Sequence, residues 1–128
     1  MKFVILIHSN PQPWGHPTSD HTAAYQALPQ QDQAALAAKW EKVFGEADAR
    51  GEIVYGCALG DPAGSVLFGY QGSPVVTDGP YSESKEHLAG FFLIDVESEG
   101  RAREIAEAFA CPGDIIELRP TMRPGCES

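Results

Sequence analysis

Two stretches of this chain carry apolar residues at helical spacing, and each is bracketed by short runs that read as β-strands. That alternation constrains the fold more than any single residue. Over residues 29–51, Leu36, Trp40, Val43, Phe44 and Ala47 fall on one stripe, with Lys39, Glu41, Lys42 and Glu46 largely off it. Pro29 suits a first helical turn and Gly51 a stop. In the second stretch Ser98 is placed to cap, Ala102, Ile105, Ala106 and Phe109 share a face, and Pro112 with Gly113 ends the helix.

The strands follow from period-two and continuous apolar patterns. Lys2 to His8 sets Phe3, Ile5 and Ile7 against Val4, Leu6 and His8, which predicts a strand covered on both faces. Glu52 to Leu59 reads as a second strand. Ser65 to Tyr70 and Val75 to Thr77, separated by turn residues, then predict a meander of short antiparallel strands. Gly90 to Val96 reads as a central strand, and Asp114 to Arg119 as the last one. The order predicts one α+β domain over residues 1–128, a ferredoxin-like βαββαβ sandwich with an inserted β-hairpin. Its helices would lie on one face of an antiparallel sheet. The other face would be left apolar, so a homodimer through the sheet is expected.

Charge and cysteine usage narrow the partners. The chain of 128 residues carries 9 basic and 18 acidic residues, a net charge of −9, which opposes docking on a phosphate backbone. No nucleic acid partner is expected. The longest apolar run, Phe3 to Ile7, is too short for a signal-peptide core or a membrane span. Cys57, Cys111 and Cys126 form no CxxC pair, so reduced thiols and a cytoplasmic setting are expected, with no membrane association.

Two irregular segments hold the chemistry. Residues 9–28 are rich in proline and contain Trp14, a candidate lid over a pocket mouth. His16, Asp20 and His21 match no standard ligand spacing, and no metal is expected. The second segment, residues 78–91, reads DGPYSESKEHLAGF. Asp78, Gly79 and Pro80 form a turn that holds the acid in one orientation, and Glu83, Lys85 and Glu86 follow within about one helical turn of each other. Asp78 or Glu86 is a candidate proton acceptor and Lys85 a candidate anion binder, with Glu83 and Tyr81 beside them. The plainer alternative is a structural turn followed by a solvated, ion-paired stretch. His8 is a candidate acid or base, or a strand histidine merely hydrogen-bonded in place. Arg119 either clamps a carboxylate or pairs with an acidic neighbour.

Residues 78–91 resemble the signature of the DGPF branch of the YCII-related family: an Asp-Gly-Pro-aromatic turn, a Glu, a Lys-Glu pair, and Gly-Phe opening an apolar strand. The first strand, Val75 to Thr77, and the closing Glu117-Leu118-Arg119-Pro120 extend the resemblance over nearly the whole chain. Tyr81 stands in place of the usual Phe, and Ala89 where Gly is common. The resemblance implies a ferredoxin-like dimer with its functional pocket between sheet and helices, and some members are encoded near alternative sigma factors. It also brings a His and Asp pair from the wider superfamily, the Asp preceding a Pro after the second helix. Here that position is similar to Cys111-Pro112, and the acid is absent.

Two functions follow. One is a cofactor-independent enzyme that transfers protons on a small polar, anionic or phenolic molecule, with Asp78, Lys85, Glu86 and His8 around the pocket. Serine-hydrolase, phosphate-loop and dinucleotide signatures are missing from the sequence, and no cofactor is expected. The other is a ligand-sensing or regulatory module that docks a protein partner, for which the negative charge suits a basic surface.

Overall fold

The computed structural model describes residues 1–10, 22–77 and 87–122. Among these the elements run β1 (Lys2–Ser9), α1 (Ala23–Gln26), α2 (Gln30–Ala49), β2 (Ile53–Ala58), β3 (Ser65–Leu67), β4 (Val75–Thr77), β5 (His87–Asp95), α3 (Glu99–Ala108) and β6 (Ile115–Pro120). The main sheet has the order β2-β5-β1-β6, every pair antiparallel. β1 and β5 hold the centre, each paired on both sides. The architecture is α+β and consistent with a ferredoxin-like fold.

The alternation read in the first strand sets the two faces. Phe3, Ile5 and Ile7 are buried, while Val4, Leu6 and His8 between them are half-buried. Register carries the pattern across the sheet: Ile5 lies between Phe92 and Leu118, whereas Leu6 lies between Phe91 and Glu117. The first set packs with Ala47 of α2 and with Ala102, Ile105 and Ala106 of α3 in one core, where Ile5, Ile94 and Ile105 are wholly buried. Both long helices therefore cover the same face. Ser98 caps α3 through its Oγ, which accepts from the Arg101 amide at 3.1 Å, as its position predicted.

A buried ion pair ties the helical layer to the sheet. Arg101 on α3 donates to both carboxylate oxygens of Glu52, immediately before β2, with its Nη2 at 2.8 Å from Oε1. The hydrogen bonds that Glu52 accepts, and then its charge, hold the guanidinium proton more tightly even than usual against the desolvation that opposes it. Both side chains are nearly inaccessible, so either left alone would be an uncompensated buried charge.

Three expectations are corrected by the structure. Residues 23–26 are helical rather than irregular, because Thr22 Oγ1 accepts from the Tyr25 amide and supplies a cap. The short strands do not form a meander with β2: β3 and β4 pair only with each other, in a two-stranded sheet of their own. Finally β5 starts at His87, three residues earlier than the apolar run implied, because His87 and Ser9 continue the ladder past an irregularity at Ile7/His8.

Candidate functional site

A cavity of about 490 Å3 lies between α2 and the helix-covered face of the sheet. Its sheet wall sets small residues beside an aromatic ring. Gly56 and Ala58 of β2 stand opposite Phe92 and Gly90 of β5, and all four line the cavity. A Cβ on Gly56 would come within 2.3 Å of the Phe92 ring, and one on Gly90 would meet the Cys57 carbonyl oxygen at 3.0 Å. Glycine at these two strand positions is what lets the ring and the neighbouring backbone approach so closely.

The opposite wall is aromatic. Trp40 and Phe44, one turn apart on α2, stack with ring centroids 4.8 Å apart. Phe109, just beyond α3, meets Trp40 edge-on at 6.0 Å and lies 5.0 Å from Phe92. Such geometries add to the burial energy and fix the rings as a rigid surface. Tyr25 closes a further side, its hydroxyl donating to the Gln33 carbonyl at 2.9 Å. Glu41 is the one ionisable carboxylate among the described lining residues.

His8 and Arg119 are brought together, but away from this cavity. Strand alternation turns both onto the opposite face of the sheet, where Val4 pairs with Arg119 and Leu6 with Glu117. His8 Nε2 lies 3.2 Å from Glu117 Oε1, and Arg119 donates from Nε and Nη2 to Glu117 Oε2. The Arg119 guanidinium, and after it the His8 ring, hold the Glu117 carboxyl below its ordinary range. His8 is not among the residues that line this cavity, strand parity placing it on the other face, and Arg119 pairs with the acidic neighbour Glu117. Trp14, Asp78, Tyr81, Glu83, Lys85 and Glu86 lie outside the described residues.

Four polar residues that the sequence pattern does not mark, Ser9, Thr22, His87 and Asp114, lie outside the cavity lining. Ser9 and His87 are register partners at the ends of β1 and β5, and both are buried. Ser9 Oγ donates to Asp114 Oδ1 at 2.5 Å. Buried Thr22 donates to the Pro112 carbonyl at 2.9 Å. The glycines of β2 and β5 were a legible signal, since glycine on the inward face of an apolar strand marks a close approach or a missing volume. The Ser9–Asp114 contact joins positions 105 apart and left no such trace.

An antiparallel sheet of this order, with both helices on one face and a cavity hollowed beneath the first, defines a class of small α+β domain. Its family is given by sequence comparison: the model of the YCII-related domain matches residues 1–120, and the chain belongs to that family. It is also 40% identical over 60 residues to an uncharacterized protein of Rhizobium meliloti, a match covering 42% of this chain and 48% of that one. The chain therefore spans about half the length of the curated relative it matches. Among the described residues, no helix is long and apolar enough to cross a membrane.

Proposed function

We propose that this YCII-related domain is a cofactor-independent, small-molecule enzyme whose substrate occupies the cavity between α2 and the sheet. The observation that carries the reading is the cavity itself: its volume falls in the range of ligand pockets, and its rigid aromatic wall with few polar groups is what such pockets share. Asp78 and Glu86 are the proposed proton acceptors, with Lys85, Glu83 and Tyr81 as ligand contacts and Trp14 as a lid. Residues 78–86 run directly into β5, where Ala89 and Gly90 line the cavity. The test is turnover in a mixture of small metabolites, followed by native mass spectrometry for retained ligand. Asp78→Asn should abolish turnover with the melting temperature nearly unchanged; a collapse of stability instead assigns Asp78 to the turn.

A second reading, a ligand-sensing or regulatory module acting as a homodimer, is favoured by the sheet face opposite the two long helices. Tyr55 and Ile115 are more than half exposed there, and Tyr55 packs beside Phe91. This face is the proposed dimer interface, and a docked protein such as a transcription factor of the sigma type is the alternative occupant. Cys57 is an unbridged thiol, which supports the cytoplasm as its compartment. Stoichiometric co-purification of a protein partner, without turnover, would favour the module.

A further inference from the structure

Trp40, Phe44, Phe92 and Phe109 all line the cavity, and the angles between their rings make a corner. On α2 the Trp40 and Phe44 rings are nearly parallel, 14° apart. Phe109 stands at 82° to Trp40 and 84° to Phe44, and Phe92 of β5 stands at 72° to Phe44. The α2 pair is therefore one wall. Phe92 and Phe109, tilted 40° to each other, are a second wall that meets the first close to a right angle.

The sheet fixes the second wall. A Cβ at position 56 would stand 2.3 Å from Phe92 Cε1 and 2.4 Å from its Cδ1, so the ring lies down against the backbone of β2, where any other side chain would hold it off. Ala58, Ala89 and Gly90 add lining surface no bulkier than a methyl group. The cavity measures about 490 Å3, and an apolar hollow of about 150 Å3 already admits a benzene ring.

Perpendicular walls of rings suit a guest that is itself a ring. Aromatic pairs prefer offset-stacked or edge-to-face arrangements, because the negative face of one ring meets the positive edge of another. A guest ring lying parallel to Trp40 and Phe44 is nearly perpendicular to Phe109, so it meets both preferences at once. A saturated ring of the same size has no such quadrupole and makes dispersion contacts only.

We propose that the cavity selects a small molecule with a flat aromatic ring, seated in the corner between Trp40 and Phe44 on one side and Phe92 and Phe109 on the other, over a saturated molecule of the same size. This rests on the small-molecule reading above and gives it a substrate class.

Calorimetric titration of the full chain with benzyl alcohol and cyclohexylmethanol tests this, because the two share a hydroxymethyl group and a ring size and differ in aromaticity. Burial alone favours the saturated ring, the more hydrophobic of the two, so burial and ring complementarity predict opposite orders. Benzyl alcohol should bind about fivefold tighter. Phe44→Leu keeps an apolar side chain and removes one ring of the α2 wall; it should cut that advantage to about twofold while cyclohexylmethanol affinity stays within about twofold. Trp40→Leu serves in the same way if Phe44→Leu does not fold, and the wild-type order needs no variant. Cyclohexylmethanol binding as tightly as benzyl alcohol or tighter, or an undiminished preference in these variants, overturns the aromatic assignment and leaves the cavity reading intact. Binding of neither overturns both.

Discussion

The two faces of the main sheet are built from the same strands and differ in what they leave unfinished. On the helix side, Phe3, Ile5, Ile7 and Ile94 are buried in one core, and a partly open, ring-lined hollow lies beside Gly56 and Gly90, where the Phe92 ring and the Cys57 backbone approach closely. On the other side, Val4, Leu6 and His8 are half-buried, and the trio His8, Glu117 and Arg119 sits where β1 pairs with β6. The difference teaches that apolar content alone does not locate a site in this fold. One face sets small residues against rings around a hollow; the other turns its side chains outward.

Substitutions at the helix side should have the largest effects. Arg101→Met strands Glu52 as a buried charge and should destabilise by about 3–5 kcal/mol in denaturant titration. A loss under 1 kcal/mol would mean that water reaches the pair. Ile5→Ala opens a hole in the core and should cost about 2–5 kcal/mol, independent of protein concentration. Leu6→Ala, one residue along and on the other face, should cost less at micromolar concentration, and its cost should grow with concentration if a second copy covers that face. Equal, concentration-independent losses for Ile5→Ala and Leu6→Ala would break the contrast.

Gly56→Ala sharpens the comparison at the hollow itself. The new methyl must displace the Phe92 ring, at a cost of about 1–3 kcal/mol, and it should weaken any cavity ligand. Retained affinity would move the site elsewhere. The smallest effect belongs to the open-face trio. Glu117 has a folded-state pKa below its ordinary value, so it contributes stability above that value and loses it as pH falls through the lowered one. Glu117→Gln should therefore lower the melting temperature slightly at neutral pH, and the difference should vanish in acid. A difference that grew on acidification would contradict the sign.

Much of the architecture could be read before any coordinates. The stripe from Leu36 to Ala47, the alternation of Phe3, Ile5 and Ile7, and the Ser98 cap are local patterns, and each is found where its period places it. Pairing is not local, so the sequence predicts β3 and β4 beside each other but does not show that, among the described residues, they form a sheet apart from β2. The Thr22 cap was hidden in a proline-rich stretch whose composition argues for irregular backbone. The candidate site was less legible still. His8 was chosen for its chemistry, yet parity of the strand decides which face it serves. Ser9 and Asp114 are ordinary residues until the chain folds them to within a hydrogen bond.

Amide chemical-shift mapping with benzyl alcohol tests the central claim most directly, because the two sheet faces report on alternate residues of the same strands. The account predicts perturbations clustered at Gly56, Ala58, Gly90 and Phe92 and at the Trp40 indole. Perturbations confined to His8, Tyr55, Phe91 and Ile115 would place binding on the open face and contradict it.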